Sequence, residues 1–240
     1  MAGVLYLVPN LLGAVEPAAV LPARTLDTAR RLRHFVVETR KPARAFLKAI
    51  GTPVPIASLD IQLLPEAASA RAADFVALLA PAVAGEDMGV LSDAGCPGVA
   101  DPGARLVESA HRHGVRVVPL VGPSAVLLAL MASGMNGQRF AFHGYLPVKP
   151  DARTAALLRL HEDARNRGET QLFIETPYRN VAMLAAAVEA LPGDAWLCVA
   201  ADLTLPTETI ERRTVAAWRS EAFGRFDRRP AIFLLDAARP

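Results

Sequence analysis

The chain has 240 residues, of which 52% are hydrophobic and 21% charged, and its mean hydropathy is +0.26. This composition excludes an intrinsically disordered chain, and the length allows either one large domain or two small ones. Cys96 and Cys198 are the only cysteines and stand 102 residues apart, which excludes a disulfide framework and a cysteine-rich zinc site. Such cysteine usage is typical of a reducing compartment, so we expect a cytoplasmic protein.

Apolar runs are all interrupted by Arg, Asp, Glu or Pro before they reach the roughly 18 residues that a membrane span requires. Residues 1–12 carry no charged side chain, unlike the basic start of a secretory leader. The sequence therefore predicts neither a membrane span nor a signal peptide.

Net charge is +2, but the basic residues are concentrated in residues 24–48. That segment holds eight basic and two acidic residues, a net charge of +6. A basic segment of this kind is either an ordinary solvated helix surface or a phosphate-binding face. If it binds phosphate, the candidate residues are Arg30, Arg31, Arg33, Arg40, Lys41 and Arg44.

Short apolar runs alternate with helical patterns in the first half of the chain, which is typical of an α/β domain with a mainly parallel sheet. We predict strands at 4–8, 34–37, 88–91 and 115–120, and helices at 26–33, 42–50, 70–79 and 104–113.

The second half begins with an apolar helix at 124–132 and then changes its pattern. Strand candidates are 140–142, 171–174, 195–200, 209–213 and 231–235, and the last of them follow one another without long helices between them. A mixed sheet is expected here. We therefore predict two α/β domains, 1–121 and 122–240, with a ligand cleft between them.

The loop after the strand at 88–91 carries the strongest functional signal. Residues 91–103 contain three Gly, two Pro and two Asp. Glycines allow positive φ and close backbone approach, and open α/β sheets bind ligands beyond the carboxyl ends of their strands. Ordinary connections between a strand and a helix take about two to six residues, so a ligand loop is favoured over a plain connection.

A second loop, 121–125, leaves the next strand and opens a helix whose first amides could receive an anion. Ser124 could equally be only the N-cap of that helix. Neither loop has the spacing of a dinucleotide fingerprint or of a P-loop, so NAD and ATP are not favoured.

Metal and nucleophile patterns are weak. His111 and His113 cannot share one helix face at a spacing of two, and no H-E-x-x-H occurs. Cys96 has no neighbouring base in the sequence and is interpreted as a packing or ligand-contact residue. No metal is predicted.

Taken together, the loops resemble those of the tetrapyrrole (corrin/porphyrin) methylase superfamily, and of the ribosomal RNA small-subunit methyltransferase I branch in particular. The motifs that carry this resemblance extend over nearly the whole chain. They are Val8-Pro9 with Gly13, Glu38-Thr39-Arg40, Ser92 to Pro97, Asp101-Pro102-Gly103, Gly122 to Ala125, Ala132-Ser133-Gly134, Phe142 to Lys149, Glu175 to Arg179, and Leu203-Thr204.

This resemblance implies a homodimer of two-domain subunits that bind S-adenosylmethionine in the interdomain cleft. In the ribosomal branch the methyl group passes to a cytidine ribose 2′-oxygen of 16S rRNA, in a one-step displacement that needs alignment of donor and acceptor rather than a metal or a covalent intermediate. By motif position, the implied cofactor contacts are Pro9, Asp93, Ala94, Gly95, Pro97, Val99, Ala100, Ser124, Ala125, Pro177 and Leu203.

A base for the acceptor hydroxyl is sought among Glu38, Glu175 and His143, which lie in family motifs. We rank Glu38 first, because it ends a parallel strand of the first domain. Each has a structural alternative: Glu38 could pair with Arg40, Glu175 could cap the turn at Pro177, and His143 could be a packed strand residue.

Several departures from the ribosomal pattern concern the acceptor. That branch usually reads Val-Pro-Thr-Pro-Ile-Gly-Asn where this chain has residues 8–14, with Asn10 in place of the Thr. Residues 201–205, Ala-Asp-Leu-Thr-Leu, replace an Arg-Glu-Leu-Thr-Lys pattern and lack its two cations. Three hypotheses therefore remain: an RNA methyltransferase, a methyltransferase of the same fold that acts on a small molecule such as a tetrapyrrole, and a cofactor-binding protein without catalysis.

Overall fold

The computed structural model describes residues 2–66 and 69–237. The chain divides into two compact units, Met1–Ser124 and Ala125–Pro240, called unit 1 and unit 2 below.

Unit 1 is an α/β unit in which strands and helices alternate. Its elements in chain order are β1 (Val4–Val8), α1 (Pro17–Val20), α2 (Ala23–Arg31), β2 (His34–Val37), α3 (Arg40–Ile50), β3 (Asp60–Leu63), α4 (Ala72–Leu78), α5 (Ala80–Val83), β4 (Met88–Leu91), α6 (Gly103–Arg112) and β5 (Arg116–Pro119).

The five strands of unit 1 form one parallel sheet in the order β3-β2-β4-β1-β5. Alternate residues of the strands enter two separate cores, because successive side chains of a strand point to opposite faces. Phe35 and Val37 pack with α2 and α3, whereas Val36 packs with α4 and α6. Helices therefore cover both faces, and the carboxyl ends of the strands meet at one edge.

The predicted strands of unit 1 are confirmed, with shifts of one residue at the ends of β5. Helix α3 begins at Arg40, two residues before the prediction, since Pro42 lies in the first helical turn, where its missing amide costs no hydrogen bond. Strand β3 was not predicted. It is a four-residue edge strand in which Ile61 is buried and Leu63 is exposed, so it is too short and too exposed to produce a clear apolar pattern.

Unit 2 has longer helices and a different sheet. Its elements are α7 (Ala125–Ser133), β6 (Phe140–Tyr145), α8 (Pro150–Arg167), β7 (Thr170–Ile174), α9 (Asn180–Ala190), β8 (Trp196–Ala201), β9 (Thr209–Thr214), α10 (Val215–Trp218) and β10 (Ala231–Asp236).

The sheet of unit 2 has the order β6-β7-β10-β8-β9. Strands β6 and β7 are parallel, while β10 is antiparallel to both β7 and β8, and β8 is antiparallel to β9. Trp218 is fully buried and its indole donates to the Leu197 carbonyl at 2.9 Å, which ties α10 to β8. The predicted fold class, a parallel sheet followed by a mixed one, is confirmed.

Candidate active site

The carboxyl ends of β2 and β4 hold each other through reciprocal hydrogen bonds. The Asp93 amide donates to Glu38 Oε2 at 3.1 Å, and the Thr39 amide and hydroxyl donate to the Asp93 carboxylate at 3.1 and 2.9 Å. The Glu38 amide also donates to the Leu91 carbonyl at 3.3 Å. Two predicted site residues, Glu38 and Asp93, are thus adjacent.

Asn10, which follows β1, binds the glycine-rich loop that begins at Ser92. Its carboxamide nitrogen donates to the carbonyls of Ser92 and Asp93 at 3.0 and 3.1 Å, and its backbone amide donates to the Gly95 carbonyl at 2.9 Å. The Asn10 carboxamide oxygen accepts from the Leu11 amide at 2.8 Å. Asn10 was not among the predicted site residues; its departure from the usual Thr is the sequence signal that could have identified it.

Loop 93–100 depends on left-handed backbone. Gly95 and Gly98 have φ of 69° and 83°, and Ala100, which is not a glycine, has φ of 61°. A Cβ atom on Gly95 would lie 3.3 Å from the Leu12 side chain, whereas one on Gly98 would meet no heavy atom within 4 Å. Ala94, Val99 and Ala100 are exposed, while Gly95 and Pro97 are buried and Pro9 packs against Gly122. The loop therefore presents an open, backbone-rich surface.

Asp101 holds the far end of the loop. Its Oδ1 accepts from the amides of Gly98 and Gly103 at 2.8 and 2.7 Å. Burial raises the pKa of the Asp101 carboxyl, against the lowering effect of those two amide hydrogen bonds.

Two grooves border this loop within unit 1. One, of about 680 Å³, lies between residues 10–17 and the face of α3 that carries Pro42, Ala45, Phe46 and Ala49, and it reaches Asp93 and Ala94. The other, of about 490 Å³, is lined by Glu38, residues 64–66 and residues 100–102. Both volumes are in the range of small-molecule sites.

Glu38 has the electrostatics of a proton acceptor. Burial is the largest cause that raises its pKa above the ordinary 4.5, and the negative charges of Asp93 and Asp101 raise it further, while the hydrogen bond from the Asp93 amide lowers it. A carboxylate with a raised pKa in a groove is suited to general-base work. The alternative pairing of Glu38 with Arg40 is not what the structure shows, since the Arg40 guanidinium donates to the Ile61 carbonyl at 2.9 Å.

Glu175 and His143 are engaged within unit 2. The Glu175 side chain is 1% exposed and its Oε2 lies 2.9 Å from Arg179 Nη2, an ion pair whose N–H is not aligned for a hydrogen bond. Glu175 Oε1 accepts from the Thr176 amide at 2.7 Å, as expected of a residue that caps this turn. His143 Nε2 lies 2.6 Å from Gln171 Oε1 on the neighbouring strand. Glu175 thus has the partner that its alternative describes, whereas His143 is exposed on β6 and is not a packed strand residue.

Pro177 and Leu203 follow the carboxyl ends of β7 and β8. The Pro177 carbonyl accepts from the Arg228 amide at 3.0 Å, and Leu203 is buried between Asp202 and Thr204, whose φ values are 53° and 73°. Arg229 Nε donates to Asp202 Oδ2 at 2.7 Å and supports that strained turn. Ser124 and Ala125 stand at the division between the units, where α7 begins. All four remain predicted cofactor contacts.

The six basic candidates fall into two groups at opposite ends of β2. Arg30, Arg31 and Arg33 precede the strand, and Arg40, Lys41 and Arg44 follow it. Four residues of strand separate the groups by about 13 Å. The six residues therefore do not form one compact cluster, because α2 ends at one edge of the parallel sheet and α3 begins at the other.

The group that precedes β2 is partly committed to the fold. Arg30 donates to the Ile50 carbonyl at 2.8 Å and pairs with Asp27, and Arg31 contacts the Tyr6 ring and its hydroxyl. The group that follows β2 lies at the edge that carries the glycine-rich loop. Lys41 and Arg44 are exposed in the first half of α3.

Cys96 packs in the loop, with its Sγ 3.5 Å from the Pro123 carbonyl, and burial raises the pKa of its thiol. This agrees with a packing residue rather than a nucleophile. Among the described residues, no three His, Cys, Asp or Glu side chains are grouped as metal ligands. No helix in the described ranges is both long and apolar enough to cross a membrane.

We expect the Glu38 carboxyl to titrate above 4.5 when followed by carbon-13 NMR. In Asp101→Asn, which retains the oxygen that accepts the Gly98 and Gly103 amides, the Glu38 pKa falls but stays raised, since burial is the larger cause. Because the folded-state pKa is the higher one, the contribution of Glu38 to stability is full below about 4.5 and is lost as pH rises through the folded pKa.

Glu211 is the internal reference for this titration. The hydrogen bond from Arg225 lowers the Glu211 pKa, so its titration lies on the acid side of 4.5 in both proteins. A Glu38 midpoint at or below 4.5 would contradict the description of its environment.

Comparison with known proteins places this chain in a family. Residues 4–218 match the family model of the tetrapyrrole (corrin/porphyrin) methylases. The chain is 42% identical over 140 residues to the ribosomal RNA small subunit methyltransferase I of Mesorhizobium japonicum, which covers 58% of this chain and 46% of that protein. It is 32% identical to the protein of the same name from Vibrio cholerae over 90% of this chain and 70% of the relative. It is 31% identical to the protein of the same name from Escherichia coli O157:H7, over 91% of this chain and 73% of the relative.

Solved structures show the same fold. The methyltransferase CobJ superposes with a TM-score of 0.63 at 19% identity, covering 99% of this chain and 95% of its own. Uroporphyrin-III-C-methyltransferase from Thermus thermophilus superposes with a TM-score of 0.54 at 19% identity, covering 99% of this chain and 93% of its own. The chain therefore belongs to the tetrapyrrole (corrin/porphyrin) methylase family and is a methyltransferase of that family.

Proposed function

We propose that this protein transfers a methyl group from S-adenosylmethionine to the 2′-oxygen of a cytidine ribose in small-subunit ribosomal RNA. The observation that carries the proposal is the position of Glu38, a carboxylate with a raised pKa that contacts the glycine-rich loop through the Asp93 amide. The names of the relatives, with 70% or more of the Vibrio and Escherichia proteins covered, support ribosomal RNA as the substrate.

The residues of loop 93–100 fit S-adenosylmethionine. The open space over Gly98 and the exposed Ala94, Val99 and Ala100 leave room for a ligand to lie against backbone, and the Asp93 and Asp101 carboxylates suit a ligand that carries positive charge. S-adenosylmethionine supplies the methyl group when it is bound. Pro9, Asp93, Ala94, Gly95, Pro97, Val99 and Ala100 would hold it from unit 1, and Ser124, Ala125, Pro177 and Leu203 are the further contacts that we propose.

Glu38 would then accept the proton of the attacking hydroxyl. Oε2 already accepts the Asp93 amide, and a carboxylate has lone pairs for more than one donor. Arg40, Lys41 and Arg44 would bind RNA phosphates at the same edge of the sheet. The homodimer and the cytoplasmic location stay part of this proposal.

Methyl transfer is tested with a labelled methyl donor and ribosomal small subunits from cells that lack the modification. We expect label in the RNA, and in Glu38→Gln a loss of kcat of about 100-fold or more, the usual size of a general-base contribution. The Gln side-chain oxygen can still accept the Asp93 amide, so affinity for S-adenosylmethionine should stay within about threefold of wild type. Label on a small-molecule acceptor but not on RNA would favour the tetrapyrrole-type reaction, and binding without any transfer would favour a non-catalytic protein.

Cofactor binding depends on Gly95. A valine there forces a branched side chain into φ of 69° and places its Cβ 3.3 Å from Leu12, so the loop must change shape. We expect Gly95→Val to lose S-adenosylmethionine binding in calorimetry. Gly168→Val is the matched control, because Gly168 has φ of 63° at the end of α8 and its substitution imposes similar strain without touching the loop. Unchanged affinity in folded Gly95→Val would remove this loop from the site.

RNA binding is tested through the two basic groups. Replacing Arg40, Lys41 and Arg44 by Ala should weaken RNA binding and lower the slope of log affinity against log salt by about two, since each released phosphate contact contributes about 0.7 to 0.9. The matched variant, with Arg30, Arg31 and Arg33 replaced by Ala, removes the same charge from the other end of β2 and should change the slope little. Filter binding across a salt series measures both. Equal slopes for wild type and the Arg40, Lys41 and Arg44 variant would count against phosphate binding at this edge.

A further inference from the structure

We infer that Asn10 is a positioning residue that sets the shape of the cofactor loop in this chain. The inference rests on the proposed use of S-adenosylmethionine at loop 93–100. The feature that carries it is a side chain, 5% exposed, that makes both of its N–H bonds to consecutive carbonyls of that loop.

Four consecutive carbonyl oxygens of the loop accept hydrogen bonds from the side chains of Asn10 and Ser92. Those of Ser92 and Asp93 accept from the Asn10 carboxamide. Those of Ala94 and Gly95 accept from the Ser92 hydroxyl at 3.0 and 3.1 Å, and that of Gly95 also accepts from the Asn10 amide. The loop is therefore folded around Asn10 and Ser92 rather than held by a regular strand.

This arrangement decides where the loop amides point. The peptide bonds of the described residues are trans, so each N–H lies opposite the carbonyl of the same peptide unit. With the Asp93 and Gly95 carbonyls turned inward, the amides of Ala94 and Cys96 are directed away from Asn10, and Ala94 is exposed. The Ser92 carbonyl likewise directs the Asp93 amide toward Glu38.

Asn10 thus links the cofactor loop to the proposed base. The link is specific to a carboxamide, because only a side chain with two N–H donors and an acceptor can bind Ser92, Asp93 and the Leu11 amide together. Aspartate has the same shape and no donor when ionised, and threonine has one donor. Neither can reproduce the pair of bonds.

Asn10→Asp and Asn10→Thr test the inference by calorimetry with S-adenosylmethionine and by steady-state kinetics. We expect affinity to fall about fivefold for each lost hydrogen bond, so the threonine variant should lose less than the aspartate variant. The KM for S-adenosylmethionine should rise with the dissociation constant, and by a larger factor than kcat falls, because Asn10 binds the loop directly and reaches Glu38 only through the Asp93 peptide unit. All measurements are made well below the thermal midpoint of each variant.

Asn136→Asp is the matched control. Asn136 also donates from its carboxamide to a carbonyl, that of Gly168 at 2.7 Å, and accepts from the Gln138 amide at 3.0 Å, but it closes a turn of unit 2. Its replacement should lower stability without changing the affinity for S-adenosylmethionine. Wild-type affinity in both Asn10 variants, or an equal loss in Asn136→Asp, would overturn the inference.

Amide hydrogen exchange of the ligand-free protein separates this inference from the proposed function. Asn10→Asp should speed exchange of the Asp93 amide, which is protected by Glu38, and should leave the strands of unit 2 unchanged. If wild type failed to bind S-adenosylmethionine, the proposed function would fail, while unaltered exchange at Asp93 would show separately that Asn10 does not hold the loop.

Discussion

Reciprocal bonding between the ends of β2 and β4 is the constraint on which the site depends. Glu38 and Thr39 follow one strand, Asp93 follows its neighbour, and each side binds a backbone amide of the other. Parallel pairing brings the two strand ends to the same edge of the sheet. There, the Glu38 and Asp93 carboxylates each accept a backbone amide of the other segment, which fixes the start of the glycine-rich loop. Without this contact, a loop with so many glycines would have several competing shapes.

The same contact produces the electrostatics of the site. Asp93 and Asp101 stand close enough to Glu38 to raise its pKa, but the backbone amides that they bind offset part of that repulsion. Several carboxylates can therefore lie at one edge of the sheet, because the backbone amides of the loop donate hydrogen bonds that stabilise their negative charge.

Unit 1 places the basic side chains of residues 30–44 near both edges of its sheet. Parallel strands connected by helices place the start of every helix near the carboxyl edge and its end near the other. Arg30 and Arg31 therefore contact Ile50 and Tyr6 near the amino edge, while Lys41 and Arg44 are exposed in the first half of α3, near the carboxyl edge. Net charge along the sequence, which counts them together, cannot distinguish these uses.

Local patterns in the sequence determined the α/β class, most strands and the loop at 91–103, because apolar periodicity and glycine density act over a few residues. The same patterns missed β3, a short edge strand, and they ranked Glu38 above Glu175 and His143 as the candidate base only because Glu38 ends a parallel strand. The tertiary structure adds that Glu38 is bound by the Asp93 amide, a contact between residues 55 positions apart, whereas Glu175 pairs with Arg179 only four positions along the chain. The role of Asn10 likewise arises from residues 82 and 83 positions away, a distance over which no local pattern carries information.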